Sequence, residues 1–150
     1  MKAFQPYLNF PGNTREAMTF YQKCIDGELF IQTAGDVQMP PEQIDAMEKG
    51  GQPMGPPPNP DFVIHARLTK GAAVLMASDA MPNEPFTKGN NVWVNIDCES
   101  VDEIEKLFVA FSDGANVIMP LADQFWNARF GMLTDKFGIN WMFNCELKKS

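Results

Sequence analysis

A single histidine, His65, stands in a chain of 150 residues. Its isolation excludes a two-histidine metal site within one chain, a zincin motif and a histidine-rich proton relay. A serine or cysteine triad built on one histidine survives by count. The chain has no Gly-x-Ser-x-Gly elbow, however, and no Walker or Rossmann glycine pattern. Arginine is scarce too, with three in the chain, and 12 basic residues against 19 acidic ones give a formal charge of −7. That balance excludes a broad nucleic-acid footprint. Cysteine is sparse and odd in number: Cys24, Cys98 and Cys145 are widely spaced and read as buried thiols in a reducing compartment, not as a disulfide scaffold. No apolar run approaches the roughly 18 residues that a membrane helix needs. Residues 1–6 carry no signal-peptide core. The expectation is a cytoplasmic protein with no nucleic-acid and no membrane partner.

What is present is ample apolar material, 45% of residues against 21% charged. A chain of this length and composition folds as one domain or as two small modules sharing a core. Residues 4–10 alternate, with Phe4, Pro6, Leu8 and Phe10 on one side and Gln5, Tyr7 and Asn9 on the other, as in a half-buried strand. Pro11-Gly12 makes a turn, and Asn13 with Glu16 predicts a capping box. Ala17, Met18, Phe20, Tyr21, Cys24 and Ile25 recur at helical spacing until Gly27 stops the helix, and 28–33 reads as a strand. Residues 36–60 break the pattern: 41–49 can form a short helix, but the Gly- and Pro-rich run 50–60 cannot be a helix or central strand. Met39, Met47 and Met54 make this insert either a soft cover for a pocket or a solvated surface loop. A strand pair, 62–68 and 72–77, follows around Lys70-Gly71.

The second half repeats the order. Residues 91–98 alternate, with Val92, Val94, Ile96 and Cys98 opposite Asn91, Trp93, Asn95 and Asp97. Ser100 with Glu103 is a second capping box. Val101, Ile104, Leu107, Phe108 and Phe111 make the helical stripe, Gly114 stops it, and strands are predicted at 117–119, 130–134 and 140–146. The repeat of strand, capped helix and three further strands implies an internal duplication. The fold class is α+β: two βαβββ modules, about 3–79 and about 90–146, in one domain spanning 1–150.

If the apolar parity of each strand packs on the helices, the other parity is left for function. That set is Gln5, Tyr7, Asn9, Val63, His65, Arg67, Val74, Met76, Ser78, Asn91, Trp93, Asn95, Asn140, Met142, Asn144 and Glu146. Amides, aromatics, thioethers and one imidazole suit a partly enclosed small-molecule pocket. An ordinary half-exposed sheet face or a subunit interface is the alternative. His65 is the best catalytic candidate, as a base or ligand donor, with ligand contact or a structural hydrogen bond as other roles. Arg67, on the same parity, can meet a carboxylate or phosphate, or pair with an acid. Asp79 and Asp135 sit at turns, where each either caps local backbone amides or touches a ligand. Trp126 reads as a packing residue or as a ligand stacker at a rim.

Several segments resemble the vicinal-oxygen-chelate superfamily, which includes glyoxalase I, fosfomycin-resistance proteins and extradiol dioxygenases, and in particular its PhnB-like branch. They are Pro6-Tyr7-Leu8-Asn9-Phe10 with Gly12-Asn13, His65-Ala66, Ser78-Asp79-Ala80-Met81-Pro82, Gln124-Phe125-Trp126, and Phe130-Gly131 leading to Thr134-Asp135-Lys136-Phe137-Gly138 and Trp141. The resemblance implies a U-shaped mixed sheet around a central cavity, with helices outside, and a homodimer. It also implies metal positions at the first and fourth strands of each module, here Gln5, Met76, Asn91 and Met142. Two amides and two thioethers are poor ligands for a hard divalent ion, so no metal and no other cofactor is expected. Some relatives carry a methyltransferase label, but the chain shows no methyl-donor loop.

Three functions follow as expectations. The first is a metal-free small-molecule binder using Gln5, Tyr7, His65, Arg67, Met76, Asn91, Trp93, Trp126 and Met142. The second is an enzyme of the superfamily with unusual chemistry at His65. The third is a structural or regulatory homodimer without a productive pocket.

Overall fold

A computed structural model describes residues 1–36, 59–81 and 85–148. The Met-containing insert, the predicted helix at 41–49 and the Pro-rich run up to residue 58 lie outside the described residues. The chain divides into two compact units, Met1–Phe86 and Thr87–Ser150.

In the first unit the order is β1 (Tyr7–Phe10), α1 (Thr14–Ile25), β2 (Glu28–Thr33), β3 (Val63–Lys70) and β4 (Ala73–Asp79). The sheet order is β1-β4-β3-β2, with β1 parallel to β4 and the other pairs antiparallel. α1 forms because Thr14, Ala17, Met18 and Tyr21 fall on one stripe, and all four are buried. The sheet side of this core is Phe10, Ala66, Leu68 and Ala77, where the small pair Ala66 and Ala77 sits side by side in register.

The second unit repeats the pattern with β5 (Val94–Cys98), α2 (Val101–Phe111), β6 (Asn116–Gln124), β7 (Ala128–Thr134) and β8 (Asn140–Glu146). Its sheet order is β5-β8-β7-β6, again with the first pair parallel. Ile104, Phe108 and Phe111 bury the inner face of α2. Phe111 meets Trp141 and Phe143 edge-on at ring separations of 4.9 and 5.3 Å, and Phe108 meets Phe143 at 5.3 Å. Such edge contacts add about 0.5–1.5 kcal/mol each beyond the area they bury. The two βαβββ modules of an α+β fold are thus both present.

Five local expectations are corrected. β1 begins at Tyr7, and Phe4 is 93% exposed, not part of a core. Pairing enters through a carbonyl, Pro6 C=O accepting from Met76 N–H, because Pro6 itself has no N–H to offer. β5 begins at Val94, so Asn91, Val92 and Trp93 precede the strand, and Val92 is 73% exposed. There the Asn140 amide donates to the Gly89 and Val92 carbonyls, which occupies backbone groups that a strand would use.

Val63 faces the core, not the functional side: it pairs with Thr33 while His65 pairs with Gln32, so Ile64 is an extra residue. Such a bulge flips the parity of everything before it. Asn13 makes no side-chain cap. Instead the buried Asp79 carboxylate accepts from Thr14 N–H at 3.1 Å and from Val63 N–H at 2.8 Å, tying the start of α1 to the start of β3. Gly27 does not stop α1, since Asp26 takes the left-handed cap at φ 59°. Gly27 is required for another reason: a Cβ there would lie 2.7 Å from the Thr69 carbonyl oxygen. The second capping box forms as expected, Ser100 Oγ accepting from Glu103 N–H at 3.1 Å while Glu103 accepts from Glu99 N–H at 3.0 Å.

Candidate functional site

The ladder of the first unit fixes which side chains share the face turned away from α1. Tyr7, Met76, Arg67 and Phe30 form one continuous row across β1, β4, β3 and β2. Asn9 and Ser78 pair in the next row, and His65 pairs there with Gln32. Ser78 Oγ donates to Asn9 Oδ1 at 3.2 Å. Tyr7 and His65 belong to strands on either side of β4, and the Tyr7 hydroxyl lies 3.4 Å from His65 Nδ1 with ring centroids 5.9 Å apart. With Nδ1 unprotonated the phenol donates to it; with Nδ1 protonated the phenol accepts. Either arrangement orients the imidazole and leaves Nε2 without a partner among the described residues. Arg67 is exposed and forms no ion pair there.

Tyr7, His65, Arg67 and Met76 are therefore brought together as the parity argument expected. Phe30 and Gln32 complete the face and were missed, although the alternation of 28–33 carries both. Gln5 is exposed ahead of β1 and has no place in the ladder.

In the second unit, Asn95, Met142, Met132 and Met119 form one row, and Asp97, Asn144, Phe130 and Ala122 another. Asn144 donates to Asp97 Oδ1 at 3.1 Å. Trp126 is 47% exposed at the β6–β7 turn and leans on Phe130 at 5.8 Å and Phe125 at 4.9 Å. Trp93 lies outside β5, its indole donating to Asn90 C=O at 3.1 Å, and Asn91 is exposed. Asn140 is committed to structure, since it also accepts from Thr134 Oγ1 at 2.9 Å.

Three charged groups with clear electrostatic partners, Arg129, Asp123 and Asp36, lie outside these rows. The Arg129 guanidinium binds Asp123 at 2.8 Å and Glu105 at 2.6 Å. Its hydrogen bond holds the Asp123 carboxyl below the usual range, and the Arg129 pKa is raised in turn. Asp36 is likewise lowered, by the backbone and hydroxyl of Thr33.

The metal positions implied by resemblance divide between the units, Gln5 and Met76 in the first, Asn91 and Met142 in the second. Neutral amides and thioethers do not offset the charge of a hard divalent ion. Among the described residues, no three His, Cys, Asp or Glu side chains group together as a metal site would require. The donor set does not fit the superfamily's metal.

Two βαβββ units with parallel outer pairs define a protein of the glyoxalase fold. The same fold recurs in a glyoxalase/bleomycin resistance/dioxygenase protein of Burkholderia phytofirmans and in a fosfomycin-resistance protein of Mesorhizobium loti. The family described as 3-demethylubiquinone-9 3-methyltransferase matches residues 2–143, and the chain belongs to it, a PhnB-like branch of the vicinal-oxygen-chelate superfamily. Protein YjdN of Escherichia coli K12 is 31% identical over 139 residues, covering 93% of this chain and 92% of that protein. Among solved structures, protein PA1353 from Pseudomonas aeruginosa is 37% identical, with a TM-score of 0.77 over 97% of this chain and all of that one (100%). A PhnB protein from Bacillus cereus is 25% identical, with a TM-score of 0.71 over 96% of this chain and 99% of that one.

Proposed function

We propose that this protein binds a small organic molecule on the Tyr7–His65–Arg67 face of its first unit, without a resident metal. The observation that carries the reading is the 3.4 Å pairing of Tyr7 with His65 beside Arg67. A phenol, an imidazole and a guanidinium on neighbouring strand positions give several directional polar groups, and Met76 and Phe30 give apolar surface between them. The methyltransferase activity in the family's description is not carried to this chain, which shows no methyl-donor loop.

Native mass spectrometry of freshly purified protein tests the reading. The expected result is a stoichiometric organic adduct, retained or restored from a compound library, that is lost in His65→Ala. Binding that survives both His65→Ala and Arg67→Ala, or no binding by any compound, overturns it.

The protein is further proposed to be a homodimer that works without nucleic-acid or membrane partners in the cytoplasm. Val117, Ile118 and Met119 expose apolar surface along β6, which supports pairing. No helix among the described residues is long and apolar enough to cross a membrane. Light scattering is expected to give twice the 16.8 kDa chain mass, and a monomer at working concentration overturns the pairing.

A further inference from the structure

We propose that the ligand of this face is an organic anion with an apolar body, its carboxylate or phosphate-type head held by Arg67. This rests on the binding-face reading above and names the ligand class.

Arg67 sits in mid-row, with Met76 on one neighbouring strand and Phe30 on the other, both in direct register. Directly opposed side chains have Cβ atoms roughly 5 Å apart. The Arg67 side chain thus leaves the sheet between a thioether residue and a phenyl residue, and Phe30 is 58% exposed. A face meant only for water has no need of that ring, and one meant only for apolar contact has no need of the charge.

Among the described residues the cation is also uncommitted. Arg129, by contrast, is neutralised by two carboxylates. The acid that shares the face, Glu28, pairs in register with Thr69, one row beyond Arg67, and makes no ion pair with it. In a chain of net charge −7, an arginine left unpaired beside the sole histidine is a local reversal of sign. A planar guanidinium presents a fork that matches a carboxylate or phosphate-type oxygen pair. The flanking Met76 and Phe30 then meet whatever carbon skeleton carries that head, and His65, oriented by Tyr7, lies on the same strand two residues away.

The sole histidine is its own reporter, because its imidazole resonances need no assignment. The whole chain is titrated with phenylacetate, phenylphosphonate, phenylacetamide and inorganic phosphate while the His65 ring protons are followed by NMR. Phenylacetate or phenylphosphonate is expected to shift them saturably, and the tighter of the two identifies the head group. Phenylacetamide and inorganic phosphate are expected to bind at least tenfold more weakly, each lacking one half of the ligand. Arg67→Gln is expected to weaken the anion about tenfold or more, a loss of one charge-assisted contact. Phe30→Ser is expected to weaken the phenyl anions and leave inorganic phosphate unchanged.

Phenylacetamide binding as tightly as the two anions overturns the anion inference while leaving the binding face intact. Inorganic phosphate binding as tightly as phenylphosphonate overturns the apolar body. Anion binding unchanged in Arg67→Gln overturns the assigned residue. If none of the four probes moves His65, this inference falls; the binding-face reading is then judged separately by its library screen.

Discussion

Asp135 Oδ2 accepts a 2.8 Å hydrogen bond from the indole N–H of Trp141, and both residues are buried. The other oxygen of the same carboxylate accepts from Phe137 N–H at 2.8 Å and Ile139 N–H at 3.0 Å. One side chain therefore shapes the turn between β7 and β8 and locks the ring that packs on Phe111. Asparagine in its place offers one acceptor oxygen and turns an N–H₂ donor toward a second donor. Asp135→Asn is expected to cost about 2–4 kcal/mol in denaturant unfolding, since buried donors without acceptors cost roughly 1–3 kcal/mol each. The added effect of Asp135→Asn is expected to be smaller in a Trp141→Phe background, which removes the opposing N–H. Equal effects in the two backgrounds would sink this account of the pair.

Asp79 performs a comparable task in the first unit, holding Thr14 and Val63 through separate oxygens. Asp79→Ala leaves two backbone donors without their partner and is expected to lose about 2–4 kcal/mol. Hydrogen exchange is expected to quicken at Thr14 and Val63 first, while α2 keeps its protection. Uniform quickening across both units would argue against a local tether.

The periodicities that make these elements are plain in the chain, and so was the pair of modules. The stripe of Ile104, Phe108 and Phe111 and the capping box at Ser100 needed no tertiary information, because each involves neighbours within one or two helical turns. Tyr7, His65, Arg67 and Met76 were legible for a similar reason, as strand parity needs only alternation. What stayed hidden depends on distant partners. The cap of α1 comes from Asp79, which lies 65 residues from Thr14, and no local pattern announces it. The flip of Val63 comes from a bulge whose register is set by β2. The alternation of 91–98 predicts a strand that includes Asn91 and Trp93, but the carbonyls around them are claimed by Asn140, far along the chain. Phe30 needs no distant partner to be read, since the alternation of 28–33 places it on the same parity as Gln32.

Metal content separates the present reading from the superfamily's familiar chemistry. Elemental analysis of the purified protein, before any chelator, is expected to find well under one zinc, nickel, manganese or iron per chain. Adding these ions is expected to leave the thermal midpoint unchanged, because a bound ion would raise it by mass action. About one metal per chain, lost on replacing Gln5 or Asn91 with Ala, would move the function back toward metal-dependent lyase, dioxygenase or transferase chemistry.

Cys98 supplies a test that depends on pH. Burial pushes its thiol up to about 12, and the nearby carboxylate of Glu103 adds to the effect. In the unfolded chain the same thiol ionises near its ordinary value of 9.0. Below that pH both states hold the proton, and the group has no effect on the pH dependence of stability. Between 9.0 and about 12 the unfolded state has released a proton that the folded state keeps, so rising pH favours unfolding. Stability is therefore expected to fall more steeply with pH over this window in the native protein than in Cys98→Ala, by up to one proton per chain. Thiol alkylation gives an independent reading, because the thiolate is the nucleophile. Half-buried Cys24 is expected to react first near pH 8, and Cys98 only as the fold opens. Cys98 labelled as fast as Cys24 in the folded protein, or identical pH slopes for the two proteins, would show that the thiol is neither shielded nor shifted.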